Sequence, residues 1–242
     1  MQDFDLKPAN DLGLTHRERT LSLARESGLI ETATHFTYWS MMRAYLTLYH
    51  RMKVTGRENI PVKPPYVMVA NHCSHLDSLM MVSVQRWRLR DKVFPLAAGD
   101  YFFETPTMAT FAMFCINALP LWRRNCGRHV LGELRKRLIS EPCAFVLFPE
   151  GTRSPDGKLG PFKAGLGMIV AGAEVPVVPC RIFGAMEAFP RNKRLPRPRQ
   201  VRLAIGKPLD FRDTPNNRTG WDHIAEHTHA AVESLAGDAI DK

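Results

Sequence analysis

The chain has 242 residues, 45% of them apolar and 24% charged, with 18 prolines and 16 glycines. This length and mixture exclude a disordered tail, a collagen-like repeat, a coiled coil and a disulfide-stapled miniprotein, leaving a globular protein able to bury a core. Lysine and arginine number 33 against 24 acidic residues, a formal charge of +9, which points to an anionic partner such as nucleic acid, an acidic membrane surface, a phosphorylated substrate or an acidic carrier protein.

Residues 1 to about 28 are polar, mixed in charge and without the basic-then-apolar pattern of a secretory signal, so an intracellular protein is expected. From Ile30 to His50, Phe36, Trp39, Met42, Leu46 and Tyr49 recur at helical spacing beside Arg43, His50 and Arg51. Such a helix either lies at a lipid interface or packs on a core. Residues 1–51 therefore read as an N-terminal extension with amphipathic, membrane-associating helices, and 52–242 as an α/β domain. Within the latter, YVMVA (66–70) reads as a short apolar strand and SHLDSLMMVSVQRW (74–87) as a helix. VFPLAAG (93–99) and LPLWR (119–123) read as strands. The uncharged stretch from Thr105 to Trp122 has nearly the length of a membrane span. Pro106, Asn117 and Pro120 make it a buried helix and strand instead. A helix over 127–140, a strand CAFVLF (143–148), a helix over 162–173, strands over 176–184 and 200–206 and a closing helix over 220–237 complete the pattern. Strands separated by helices of this length predict an α/β fold with a mainly parallel central sheet flanked by helices, in one domain. The five cysteines, Cys73, Cys115, Cys126, Cys143 and Cys180, show no CxxC spacing and read as reduced, mostly buried thiols.

Ligands of such sheets gather beyond the carboxyl ends of strands, and two of those loops are unusual. After YVMVA comes Asn71-His72-Cys73-Ser74-His75-Leu76-Asp77. A histidine can take a proton from a hydroxyl near neutral pH, provided a carboxylate fixes its tautomer through the other ring nitrogen. On one continuous helix, residues five apart point about 140° apart, so His72 must sit in the loop and Asp77 in the first helical turn. Ser74 suits an N-cap for a helix starting at His75, but Ser74-x-x-Asp77 is equally a capping box in which Asp77 only bonds the Ser74 backbone. His75 is a rival base. The second loop, Phe148 to Ser154 (FPEGTRS), sets Glu150 and Arg153 on a turn at a strand end, where a guanidinium suits a phosphate; Lys163 can add charge, and a solvated Glu–Arg turn is the alternative. His223-Ile-Ala-Glu226-His227 has the order of an inverted zinc-protease motif but little chain after it for a third ligand. GLG at 165–167 reads as a packing feature. The arginine-rich segment from Pro190 to Arg202 is either a contact for lipid phosphates or an acidic carrier, or a solvated connection. No nucleic-acid-binding motif accompanies it, and nucleic acid is not expected as a partner.

Together these blocks resemble the glycerolipid acyltransferase family, which includes the 1-acylglycerol-3-phosphate acyltransferases. Its N-H-x-x-x-x-D block matches Asn71 to Asp77, its F-P-E-G-T-R-S block matches Phe148 to Ser154, and its V-P-Φ-Φ-P block matches Val175 to Pro179. Its G-x-Φ-F-Φ-D-R block is weak: Asn117 stands at the glycine, Trp122 at the acidic residue and Arg123 at the arginine. The resemblance implies transfer of a fatty acyl group from an acyl-CoA or acyl carrier protein thioester to the hydroxyl of a lysophospholipid, most directly 1-acylglycerol-3-phosphate, at the cytoplasmic face of an anionic membrane. His72 is then the general base, Asp77 its partner, and Glu150, Gly151, Thr152, Arg153 and Arg123 hold the acceptor. Amides near Val178 to Cys180 are candidates for the oxyanion, and Phe111, Met113, Phe114 and Ile116 for an acyl pocket. The chemistry needs no metal or organic cofactor. The same reaction on another lysolipid, such as a lyso-aminolipid, and a non-catalytic lipid-surface protein are the alternatives.

Overall fold

The computed structural model describes residues 11–236, apart from 12, 24, 100–104, 122–126, 191, 192 and 194. Its centre is a seven-stranded sheet of β1 (Lys53–Thr55), β2 (Tyr66–Ala70), β3 (Val93–Ala98), β4 (Leu119–Leu121), β5 (Ala144–Leu147), β6 (Val177–Phe183) and β7 (Arg202–Ile205), in the order β1-β7-β6-β2-β5-β3-β4. Neighbours pair in parallel except β6 with β7, so the expected mainly parallel sheet is present. Helices α1 (His16–Leu21), α2 (Leu29–Leu48), α3 (Asp77–Ser83), α4 (Pro106–Ile116), α5 (Arg128–Ser140), α6 (Gly165–Val170), α7 (Ala185–Ala188) and α8 (Arg218–Ser234) lie around it.

The central strand shows why. Every residue of β2 is buried, and the pleat sends alternate side chains to opposite faces. Tyr66, Met68 and Ala70 enter one cluster with Leu46 of α2 and Met80 and Met81 of α3. Val67 and Val69 enter the other, with Leu134 of α5, Ile169 of α6 and Ile224 of α8. The GLG segment at 165–167 is the packing feature expected: a Cβ on Gly167 would lie 2.4 Å from the Trp221 Cα, so α6 and α8 cross in near backbone contact.

One expectation is corrected here, and one open reading is narrowed. The helix after β2 starts at Asp77, not His75, because Ser74 is occupied as a loop brace: its Oγ donates to the Phe189 carbonyl and accepts from Leu76 N–H. Of the two readings of the α2 stripe, core packing describes Leu46, wholly buried, and Met42, packed on the same cluster, while Phe36 and Tyr49 are exposed. A second stripe, Ile30, Ala33, Thr37, Met41, Ala44 and Leu48, runs along the exposed side without a charge. Ile30, Met41 and Leu48 are 75%, 66% and 79% exposed. The helix is thus apolar on two sides, only one of which is covered by the described residues. None of the described helices is long and apolar enough to cross a membrane.

Candidate active site

β2 and β5 are parallel neighbours, with Val69 opposite Leu147, so the loops following them leave the sheet side by side. Three contacts lock the two loops around His72. Its N–H donates to Glu150 Oε1 (2.8 Å), its carbonyl accepts from Ser154 N–H (2.7 Å), and its ring stacks on Phe148 with centroids 4.2 Å apart. Asn71 fastens the end of β2 to β6 by exchanging two hydrogen bonds with the Ile182 backbone.

The imidazole Nδ1 lies 2.8 Å from Asp77 Oδ2. That same oxygen accepts the backbone N–H groups of Cys73 (2.6 Å) and Ser74 (2.8 Å), and Asp77 is wholly inaccessible. The two readings of the Ser74-x-x-Asp77 spacing are therefore both true: one carboxylate oxygen caps the loop and orients the ring. With Nδ1–H donating to Asp77, Nε2 is left as the acceptor. The side chain of His72 is 22% exposed and lines a cavity of about 550 Å³.

Gly151, Thr152 and Arg153 line the same cavity, as do His75 and Phe189. Away from the polar end, Leu96, Met108, Phe111, Ile116 and Leu121 form an apolar wall. Phe111 and Ile116 thus fall where an acyl pocket was expected. Met113 is core, 1% exposed, and the Phe114 side chain lies outside what the structure describes. Arg123 and Trp122 also lie outside the described residues. Lys163 folds over Gly151: a Cβ there would meet its Nζ at 2.6 Å, and Gly151 has φ +75°, a backbone that L side chains rarely adopt.

Two further expectations fail. Glu150 does not line the cavity; it turns under the His72 loop and accepts from His72 N–H and Gly160 N–H (3.1 Å). Val178 to Cys180 are interior residues of β6, paired with β2 and wholly or nearly wholly buried, so their amides do not reach the cavity. On α8, His223 and His227 are exposed with ring centroids 5.8 Å apart, and no metal-binding group of three or more ligands exists among the described residues.

Burial pushes the Glu150 carboxyl above its ordinary value, against the pull of its two N–H donors. A raised folded value contributes stability that is complete below the ordinary glutamate range and is lost as pH rises through the raised one. Glu150→Gln removes this dependence and leaves either His72 N–H or Gly160 N–H facing an amide NH2. The variant should lose about 1–3 kcal/mol for the unsatisfied donor. Wild type should also gain on it as pH falls from about 7 to about 4.5, measurable from denaturation midpoints in a pH series.

Cys73 adjoins the base but is no nucleophile: burial, then the carboxylates of Asp77, Glu187 and Glu150, push its thiol well above the ordinary range. Cys73→Ala should keep activity within about threefold, the thiol taking no part in proton transfer. Cys143, with a thiol pushed up to about 11, and Cys180 are likewise buried and unpaired.

Residues 51–183 match the protein family described as Acyltransferase. The chain is 32% identical over 176 residues to a chloroplastic 1-acyl-sn-glycerol-3-phosphate acyltransferase of Brassica napus, covering 71% of this chain and 48% of that one. It is 31% identical over 218 residues to a Chlamydomonas reinhardtii protein of the same description, covering 86% and 61%. It therefore spans about half to three fifths of the length of these relatives. Among solved structures, the 1-acyl-sn-glycerophosphate acyltransferase PlsC of Thermotoga maritima superposes with a TM-score of 0.65 at 27% identity, covering 85% of this chain and 79% of that one.

Proposed function

Because the chain belongs to the glycerolipid acyltransferase family, we propose that it transfers a fatty acyl group from a thioester to the free hydroxyl of 1-acylglycerol-3-phosphate, giving phosphatidate. The observation that carries this reading is the His72–Asp77 pair opening onto one cavity with Arg153 at its polar end and an apolar wall beyond. His72 Nε2 removes the acceptor's hydroxyl proton as the oxygen attacks the thioester carbonyl. The tetrahedral intermediate collapses by breaking the C–S bond, and the leaving thiolate takes the proton back from the imidazolium. No acyl-enzyme forms, since among the described residues no activated nucleophile lies beside the base. Holding both substrates in one cavity supplies the proximity that makes direct transfer efficient. Gly151, Thr152 and Arg153 hold the phosphate, and the apolar wall takes an acyl chain. The donor is acyl-CoA or acylated carrier protein. The test supplies each thioester with 1-acylglycerol-3-phosphate and follows thiol release together with the mass of the product. Release of thiol without a diacylated lipid overturns the reading.

The same proposal sets the enzyme on the cytoplasmic face of an anionic membrane as a peripheral protein, where both donor types and lysolipids meet. Its support is the uncharged outer stripe of α2, about 27 Å long from Ile30 to Leu48 at 1.5 Å per residue, with Arg43 over the Trp39 ring beside it. A Met41→Glu, Leu48→Glu double variant should bind vesicles containing anionic lipid at least about tenfold more weakly. Its circular dichroism should not change, because both side chains are exposed. Sedimentation with vesicles measures the difference.

A further inference from the structure

The corner between α4 and β4 departs from the family pattern and is held by residues that precede the matched region. Asn117 stands where the family block has glycine, in a left-handed conformation (φ 52°) that asparagine tolerates better than most side chains. Glycine would satisfy that backbone; the amide adds a set of hydrogen bonds. Its Oδ1 accepts from Arg25 Nη2 (2.9 Å), and its Nδ2 donates to the Asp91 (3.2 Å) and Val93 (3.3 Å) carbonyls at the start of β3. Arg25 Nη2 also donates to the Ala118 carbonyl (3.1 Å). Arg25 is 2% exposed, and the segment that carries it is fastened in turn by Arg137 of α5, which donates to the Leu23 and Arg25 carbonyls. His35 of α2 braces the same end of α4 by bridging the Met113 carbonyl (3.0 Å) and the Asp91 carboxylate (2.8 Å). Arg25 and His35 both lie before residues 51–183. A guanidinium stays buried only where hydrogen bonds offset its lost hydration, so these bonds fix one position of the corner.

The corner carries part of the substrate cavity. Ile116, just before Asn117, and Leu121, at the end of β4, line it. Ile116 and Leu79 of α3 also line a second, mostly apolar cavity of about 20 Å³ enclosed by α2, α3 and α4, so these two side chains form the partition between the two spaces. The small cavity has room for about one water molecule. A shift of Ile116 into it lengthens the apolar end of the substrate cavity, and a close-packed wall registers a change of a single methylene. We propose that Asn117 is a positioning residue that, gripped by Arg25, holds the Ile116 partition in place and thereby limits the length of acyl chain the cavity accepts. This inference rests on the acyltransferase reading; the chain concerned is that of the thioester donor or that of the lysolipid acceptor.

The test compares wild type with Asn117→Gly, which keeps the left-handed backbone and removes the amide, with Arg25→Met, which removes the grip without burying a new polar group, and with the double variant. In one arm kcat/KM is measured for a series of saturated acyl-CoA donors with one acceptor; in the other, for a series of 1-acylglycerol-3-phosphates with one donor. Binding of each ligand alone, below its micelle concentration, is followed by calorimetry. In one of the arms wild type should prefer its best chain over the next longer one by at least about tenfold, the worth of a methylene that does not fit. Each variant should bring that ratio within about threefold by gaining on the longer chain, while kcat for the best chain stays within about threefold of wild type. The double variant should do no more than either single one, because both act through one contact. The arm in which discrimination collapses identifies the chain that lies on the wall. An unaltered ratio in both variants, a uniform fall for every chain, or a wild type without chain preference in either arm overturns the proposal. If wild type transfers no acyl group to any lysolipid, the acyltransferase reading fails, and the chain-length dependence of binding still decides the role of Asn117.

Discussion

His72→Ala should lower acyl transfer by about 10²- to 10⁴-fold, the range expected when a positioned general base is lost. The effect should fall on kcat, since Arg153, Thr152 and Gly151 still line the cavity and the acceptor still binds. The fold should be little disturbed. The ring is partly exposed and stacks on one face of Phe148, while the contacts that lock the loop, Glu150 to His72 N–H and Ser154 N–H to the His72 carbonyl, belong to the backbone and survive the substitution. His75 should not substitute for the missing base, because Arg153 Nη1 lies 2.8 Å from both of its ring nitrogens. Steady-state assays with added imidazole sharpen the test. Partial recovery of turnover by imidazole in His72→Ala places the defect at proton transfer, whereas activity within about threefold of wild type removes the base from His72 altogether.

The strands were legible where local sequence decides them. YVMVA and CAFVLF read as strands because a buried parallel strand is apolar on both faces, and the structure places β2 and β5 there almost residue for residue. β1 was not legible: Lys53-Val54-Thr55 is an edge strand with exposed ends, and its partner β7 lies some 150 residues along the chain. The face of α2 stayed open for a related reason. With apolar residues on both sides, periodicity cannot say which side meets the core, and only the position of Leu46 against β2 and α3 settles it. At the site, His72, Asp77 and the turn through Arg153 stood out because each is a short local pattern at a strand end. The inward turn of Glu150 did not, because it depends on the Gly160 amide ten residues later. Nor did the meeting of His75 with Arg153, which requires two loops to leave adjacent strands together.

Asp77→Asn separates the two tasks that one oxygen performs. Asp77 Oδ2 receives His72 Nδ1–H, Cys73 N–H and Ser74 N–H, while Oδ1 is buried with no hydrogen-bond partner among the described residues. An asparagine whose carbonyl occupies the Oδ2 position keeps all three donors satisfied and sets its NH2 where nothing is bonded. The loop and the histidine tautomer are thereby preserved, and the loss is the negative charge. That charge matters little while the imidazole is neutral. It matters when the ring becomes imidazolium in the transition state, where a carboxylate a few ångströms away is worth roughly 4 kcal/mol at an effective dielectric of 20. Turnover should therefore fall by about 10²- to 10³-fold with the KM for acceptor nearly unchanged. The unpaired amide should cost about 1–3 kcal/mol in a denaturant titration. Asp77→Ala should do worse on both counts, since it also strands the two backbone N–H groups and frees the ring to turn. If Asp77→Asn turns over within about threefold of wild type while Asp77→Ala is inactive, the carboxylate serves only to hold the loop, and the charge plays no part in catalysis.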